Sequence, residues 1–401
     1  MLSFTSASVR IANTERAVDE CMEIAQEEIA IKDMSVVIVN TAMGHKLDRI
    51  ADAVRKQAPQ AVVFGTSCGG VVGREGAGEA MSNMAMMMMG GPQAEYATAA
   101  VDDIRSENAY DRALALAGDL KAKLPGVSVV YLVAPGLDIN CDLIIQAFDE
   151  VLGPETVIFG GTSADNYKAI VTYQYIGDHM TQHGAFAIGM ADPTLKVATK
   201  ASHGFTPYGD PMVVTKAEGN RLIEIDGMPA WAAYGARLSL VPEEGERSVA
   251  VIAAGGLAKR LPDDLAKEYG STHILRGAAQ DKEQGGVMLL SVSTQAGEEF
   301  WLTMRDEALI FSEQEKALAY LQAELDGHSP VAVFQADCLA RGRTLFNKVM
   351  KDEIIGMMQS ALSDGEETPP WLGMYGFGEF CPLGGRNAFH TYTTSLMVLY
   401  R

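Results

Sequence analysis

The sequence predicts an α/β protein of two domains, with mixed sheets flanked by helices and built partly from a recurring β-α-β-β-β unit. Three observations predict it. Short apolar runs of strand length alternate with helical stripes, which argues against all-α and all-β classes. The order strand, polar turn, helix, strand, glycine-rich turn, further strands occurs three times along the chain. Glycine fills 40 of 401 positions, above the ~7% norm, as many tight strand-to-loop turns require. A chain of 401 residues also exceeds one ordinary domain at ~150 residues each.

The elements follow in order. Asn13 or Thr14 caps a helix whose apolar face is Val18, Cys21, Met22, Ala25 and Ile29. The first unit has a strand over 36–40 and a helical stripe of Leu47, Ile50, Ala51, Val54 and Ala58. Val62-Val-Phe-Gly65-Thr-Ser-Cys-Gly-Gly70 and a strand over 84–89 complete it. Six methionines within 81–89 suit a strand that fills both faces of a buried sheet, since methionine packs adaptably. The second unit has a strand over 129–133 and a stripe of Leu143, Ile144, Ala147, Phe148 and Val151. Val157-Ile-Phe-Gly160-Gly-Thr-Ser-Ala-Asp165-Asn166 follows, then strands over 171–176 and 185–190. The third has a strand over 331–334 and a longer helix with Leu345, Val349, Ile354, Met357 and Leu362 facing inward. Trp371-Leu-Gly-Met-Tyr-Gly376-Phe-Gly-Glu379 and a strand over 391–400 end it. First strand to turn glycine spans 29 residues (36 to 65), 31 (129 to 160) and 45 (331 to 376). Between the second and third units, strands are expected over 222–225, 249–253 and 287–292, punctuated by Gly245, Gly255-Gly256 and Gly285-Gly286. A boundary near residue 218 divides the chain into domains 1–218 and 219–401.

Charge excludes some function classes. With 32 Lys and Arg against 52 Asp and Glu, the net charge is −20, and no basic run offsets it. Nucleic-acid binding rests on neutralising phosphates with cations, so neither nucleic acid nor an anionic membrane surface is an expected partner. No stretch approaches the ~20 apolar residues of a transmembrane helix, and residues 1–10 lack the form of a signal peptide. The five cysteines are scattered without a C-x-x-C pair, which indicates neither a disulfide framework nor a zinc ribbon. The expectation is a reduced, cytoplasmic protein without metal or cofactor.

Few residues advertise chemistry. Gly65-Thr-Ser67-Cys-Gly69 matches the nucleophile elbow of α/β-hydrolases, which needs a helix directly after it. The following Gly70-Val-Val-Gly73-Arg-Glu-Gly76-Ala-Gly78 is too glycine-rich to start one. A hydrolase using Ser67 or Cys68 is therefore the alternative reading, and a turn with hydroxyl caps the plainer one. Cys68 and Cys381 sit by glycine-rich turns, where a buried, inert thiol is the commoner state. His179 and His183 are four apart but fall in a turn between strands. His203, between glycines and aromatics, lines a cleft or simply bonds a tight turn. Arg341, just past the strand that ends at Cys338, is placed to bind a carboxylate bidentately.

Several of these segments together resemble one family. They are Gly160-Gly-Thr-Ser-Ala-Asp165-Asn166, Ser202-His-Gly-Phe-Thr-Pro-Tyr-Gly209, Val214-Thr-Lys-Ala-Glu-Gly-Asn220 and Glu224-Ile-Asp226-Gly-Met-Pro-Ala230. With Asp337-Cys-Leu-Ala-Arg341 and Phe377-Gly-Glu379, they look like the N-terminal and C-terminal parts of FIST-domain proteins. The likeness covers the chain from about residue 30 to its end, and it rests on the order and number of motifs. It implies an intracellular sensory module that binds a small ligand, with amino acids the favoured class, and signals through a separate protein. The family's first glycine-rich turn commonly ends in Gly-Glu, whereas Gly69-Gly70 stands here.

In open α/β sheets, ligands gather beyond the carboxyl ends of strands. The candidates there are Thr66, Ser67, Thr162, Ser163, Asp165, Asn166, Arg341 and Glu379, with His203 as a neighbour. Arg341 or a helix N-terminus would hold a carboxylate, and Asp165 or Glu379 an ammonium group. These residues equally suit capping of strands and turns.

Overall fold

The computed structural model describes residues 1–237, 256–281, 285–342, 348–365 and 367–401. The strand expected over 249–253, with Gly245, Gly255 and Leu345, lies outside the described residues. Each recurring unit is a parallel strand pair joined by a helix. Met34–Ala42 pairs with Val62–Cys68, Val129–Ala134 with Val157–Thr162, and Pro330–Cys338 with Trp371–Gly376. A later strand returns antiparallel on the other side of the first: Asn83–Gly90, Ala185–Met190 and Thr394–Tyr400 respectively.

The segment after each second strand leaves its own sheet. Val71–Gly73 and Gly76–Gly78, from the first unit, extend the third unit's sheet. Gln174–Ile176 and His179–Thr181, from the second, extend the first. Glu379–Phe380 and Phe389–His390, from the third, extend the second. Three six-stranded sheets are thus closed into a cyclic exchange. The added strands cover the edges of the Val62–Cys68, Val157–Thr162 and Trp371–Gly376 strands, whose main-chain groups would otherwise lack partners.

Strand periodicity then divides the side chains between two faces. Val36, Ile38, Phe64 and Met87 turn inward, to meet Tyr131, Phe159 and Phe186 of the second sheet and Phe334, Leu372 and Met397 of the third. Phe64 stacks on Phe186 with centroids 4.9 Å apart, and Tyr131 lies 5.0 Å from Phe334. Val37, Val39, Met86 and Met88 face outward against the helices Thr14–Ala25 and Ile50–Gln57. The five methionines of the strand therefore fill both faces, whereas Met81, 42% exposed, lies before the strand. Asn13, not Thr14, is the cap of the first helix, accepting from Arg16 N.

A fourth, eight-stranded sheet lies between the second and third units in sequence. Its long strand Phe205–Glu218 pairs with Glu299–Arg305 through Val213, with a bulge between Tyr208 and Met212, and with Arg221–Ile225 from Val214 on. Met212, Val214 and Phe300 pack with Ile144 and Phe148 in one cluster, while Phe205 and Leu275 join the third unit's core.

Five expectations need correction. Val349 is 74% exposed; the inward face of Lys348–Leu362 is Ile354, Ile355, Met358 and Leu362, and at ~100° per residue Val349 lies about 140° from Ile354. Ile29 is buried but past the end of its helix at Ala25. The strand expected over 171–176 begins at Gln174, because Asp165 holds the amides of residues 168 to 171 in a loop. The strands expected over 287–292 and 391–400 shorten to Val287–Leu289 and Thr394–Tyr400.

Candidate functional site

The cyclic exchange brings the three glycine-rich turns together. Ala164 N donates to Ser67 O at 2.9 Å, Phe377 N to Thr162 O at 3.3 Å, and Gly69 N to Tyr375 O at 2.9 Å. Each turn thus bonds another, and the predicted residues Thr66, Ser67, Thr162 and Ser163 lie buried within this junction. Glycine is required where chains cross so closely: a Cβ at Gly160, whose φ is +149°, would sit 1.9 Å from Leu132 O.

The hydroxyls here are engaged by the main chain. Ser67 Oγ donates to Ala164 O and accepts from Tyr173 N, both at 2.9 Å. Thr66 Oγ1 donates to Ser67 O, and Thr162 Oγ1 to Gly378 O. Ser163 Oγ accepts from Gly136 N and from Gln174 Nε2. A hairpin, not a helix, follows Ser67, so the geometry of a nucleophile elbow is absent from this turn. Burial pushes the Cys68 thiol up to about 12, and that of Cys381 likewise to about 12, far from a reactive thiolate. Asp165 accepts from Lys168 N, Ala169 N, Ile170 N and Val171 N, which occupies both carboxylate oxygens. Asn166 is half-buried at the start of that loop.

Arg341, Glu379 and His203 occupy a second, more highly charged place. Asp337 and Tyr375 stand opposite each other near the carboxyl ends of parallel strands, and Arg341 follows in the turn Leu339–Arg341. Arg341 is 2% exposed, Asp337 3% and Glu379 0%. The guanidinium donates from Nη1 to His203 O at 2.8 Å. Glu379 Oε2 accepts from Thr393 Oγ1 at 2.6 Å and from Thr393 N at 3.3 Å. Beside them Glu79 pairs with Lys351 at 2.7 Å, each side chain 7% exposed, and accepts from Tyr167 Oη at 2.5 Å.

Burial governs the electrostatics of this nest. It raises the Asp337 carboxyl to about 6 against the pull of Arg341. It raises Glu379 well above the usual carboxylate range, with the Asp337 charge adding to the effect. The same desolvation lowers Arg341 from its ordinary value. Asp337 Oδ1, Glu379 Oε1 and Tyr375 Oη make no hydrogen bond. Buried oxygens of this kind normally have partners, and each one without costs stability. All three sit on residues at most 3% exposed.

His203 fulfils both of its alternatives. Its Nδ1 accepts from Phe205 N at 3.0 Å, which leaves Nε2 to donate to His273 O at 3.1 Å. Burial lowers its pKa to about 4, so the ring is neutral. It also lines a cleft of about 240 Å³ with Phe205, Tyr269, Thr272 and Glu313.

Sequence reasoning did not assign Asp337, Tyr375, Glu79, Lys351 or Tyr167 to a site. One signal pointed to Glu79. A Cβ at Gly70 would lie 2.7 Å from Glu79 Cγ and 2.9 Å from Tyr375 Cδ2. The second glycine of Gly69-Gly70 leaves the space that the Glu79 side chain fills. Among the described residues, no group of three or more His, Cys, Asp or Glu side chains is placed to hold a metal ion. No described helix is long and apolar enough to cross a membrane.

An α/β protein of three interlocked sheets, with a buried charged nest beside the junction of its glycine turns, is the class that fold and site define. Residues 35–228 match the FIST N domain and residues 237–382 the FIST C domain. The chain belongs to the FIST family, whose domains are sensory, signal-transduction domains. Among curated relatives, the uncharacterized protein Rv0628c of Mycobacterium tuberculosis is 24% identical over 397 residues, covering 96% of each chain. The uncharacterized protein Mb0898c of Mycobacterium bovis is 24% identical over 245 residues, covering 61% of this chain and 60% of that one. Among solved structures, the cyanuric acid hydrolase of A. caulinodans aligns with a TM-score of 0.40 at 8% identity, covering 100% of this chain and 99% of that one. PurL of T. maritima complexed with ATP aligns with a TM-score of 0.23 at 8% identity, covering 100% and 71% respectively.

Proposed function

We propose that the protein is a cytoplasmic sensor that binds a small ligand, an amino acid, in the nest formed by Asp337, Arg341, Tyr375 and Glu379, and passes its state to a separate signalling protein. One observation carries this reading. Three buried oxygens, on Asp337, Glu379 and Tyr375, have no partner, and they lie in the surroundings of a buried guanidinium. Oxygens without partners call for hydrogen-bond donors. The ammonium group of an amino acid supplies three, and Arg341 provides the positive field for its carboxylate.

The other candidates divide from these by what they already hold. Thr66, Ser67, Thr162 and Ser163 shape the junction, and Asp165 holds the loop that begins at Asn166. Glu379 is then the candidate carboxylate with an oxygen to spare, and His203 fixes the main-chain oxygen that orients Arg341.

A thermal-shift screen of the twenty amino acids against the full chain tests the proposal. A ligand at 100 times its Kd stabilises by about 2.7 kcal/mol. Arg341→Ala is expected to abolish the shift of any hit, while Asp165→Asn, which leaves the side chains of the nest in place, diminishes it without abolishing it. A hit that shifts both variants as it shifts the unmodified protein places the ligand elsewhere. No hit at all removes the amino-acid reading.

A further inference from the structure

The loop over residues 165–171 has three properties that set it apart from the turns around it. Its main chain is folded around one side chain, since Asp165 accepts from the amides of Lys168 at 2.8 Å, Ala169 at 3.0 Å, Ile170 at 2.8 Å and Val171 at 3.4 Å. Two of its non-glycine residues are left-handed, Tyr167 with φ of +71° and Ala169 with +51°, a conformation that L-residues adopt only when surroundings impose it. Its tip is bare: Lys168 and Ala169 are exposed, and Ile170 is 72% exposed.

Tyr167 points the other way. Its hydroxyl donates to Glu79 Oε1 at 2.5 Å, and Glu79 Oε2 is bound by Lys351 of the helix Lys348–Leu362 at 2.7 Å. Both atoms crowd the main chain next to Arg341. A Cβ at Gly342 would lie 2.3 Å from Glu79 Oε1 and 2.5 Å from Tyr167 Oη. Tyr167 and Glu79 also lie within electrostatic reach of Tyr375. On the other flank, Asp165 O lies 3.3 Å from where a Cβ of Gly69 would be, with the Leu339 side chain beside it. The loop therefore spans from the first glycine turn to the Arg341 turn.

We propose that residues 165–171 form a lid over the nest of Asp337, Arg341 and Glu379, latched shut by the hydrogen bond from Tyr167 to Glu79. Asp165 keeps the lid preformed, and its bonds to the loop amides together with the latch hold the left-handed backbone at Tyr167 and Ala169. Opening breaks the latch and leaves Glu79 paired with Lys351. A sensor of this kind reports its ligand by the population of the closed lid, whose exposed tip is the part that a partner would read. The lid's coupling to ligand rests on the function proposed above; its existence does not.

Lys168 at the bare tip makes the lid directly measurable, because trypsin cuts after it. Cleavage of an open segment follows its population when opening and closing are fast. In the ligand-free 401-residue chain, Tyr167→Phe keeps the ring and removes the hydroxyl. It is expected to speed cutting after Lys168 about tenfold, as loss of one charge-assisted hydrogen bond implies. Cutting after Lys123, in the helix Ala109–Lys123, stays at its original rate. Asp165→Asn, which weakens the other hold, is expected to act in the same direction and gives a second reading should the first variant fold poorly. Unchanged cutting at Lys168 in both variants overturns the lid, and so does acceleration equal at Lys168 and Lys123. A mixture of the twenty amino acids then separates the two proposals. If it raises the Tm but leaves cutting at Lys168 unchanged, the lid's role in sensing fails and the ligand reading stands.

Discussion

Asp337 offers the sharpest test of the buried nest. Its carboxyl is raised from the ordinary value of 3.8 to about 6, with desolvation the largest cause and the Arg341 charge opposing it. A group raised in the folded state binds its proton more tightly there than in the unfolded chain. Between about pH 4 and pH 6 the folded protein therefore holds more protons at this site, and stability falls as pH rises through that window. A window about two pH units wide corresponds to about 3 kcal/mol, most of it lost by neutral pH. Asp337→Asn keeps the shape and the bond from Gln335 Nε2, which reaches Asp337 Oδ2 at 3.0 Å and can be accepted by the amide oxygen. The variant cannot ionise. It is expected to match the unmodified protein within about 1 kcal/mol near pH 4 and to exceed it by about 3 kcal/mol at pH 8. Urea denaturation of both proteins at the two pH values measures the difference, in which all other titrating groups cancel. The same gap at pH 4 and pH 8 would show that Asp337 titrates normally. A variant less stable at pH 8 would show that the ionised carboxylate is held by Arg341 more strongly than burial penalises it. Either result refutes the reasoning.

Three further outcomes follow from the same contacts. Ser67→Ala strands Tyr173 N, the donor to Ser67 Oγ, and is expected to cost about 1–3 kcal/mol of stability; circular dichroism melts would read this as a lower Tm with the fold kept. Lys351→Met removes the buried ammonium that pairs with Glu79 at 2.7 Å and is expected to lower stability by about 1–3 kcal/mol, as loss of a charge-assisted hydrogen bond does, read as a lower Tm in the same melts. Gly70→Leu forces a branched side chain into the space of Glu79 Cγ and Tyr375 Cδ2, and it is expected to displace Glu79 and lower Tm, while Gly76→Ala, strained by a φ of +108° but facing open space, costs less than Gly70→Leu in the same melt.

How much of this was legible in the sequence differs from part to part. The three parallel pairs were, because runs such as Val62-Val-Phe and Val157-Ile-Phe are apolar enough to lie between sheet neighbours and end at a glycine. The exchange of strands was not. Val71–Gly73 and Glu379–Phe380 are too short for periodicity to show, and nothing local tells a strand which sheet it joins. The turn residues were found because glycine, serine and threonine cluster at strand ends, yet their role turned on contacts from another unit, as with Ser67 Oγ and Ala164 O. Arg341 and Glu379 were candidates by their charge and their place at strand ends, and the structure buries both beside Asp337. Glu79 and Lys351 were missed because 272 residues separate the two partners of that pair, and each alone reads as an ordinary surface charge. Val349 was assigned inward by counting apolar residues, although it lies on the helix face opposite the stripe of Ile354, Ile355, Met358 and Leu362.

The claim that a small ligand sits among Asp337, Arg341 and Glu379 is tested most directly at Glu379 Oε1. Glu379→Gln keeps an oxygen to accept from Thr393 and places a neutral amide where the open oxygen stood. Calorimetric titration of both proteins, at pH 8, with the amino acid giving the largest thermal shift is the measurement. The account predicts that the variant, still folded, binds at least tenfold more weakly, about 1.4 kcal/mol or more. Equal affinity in the two proteins would contradict it.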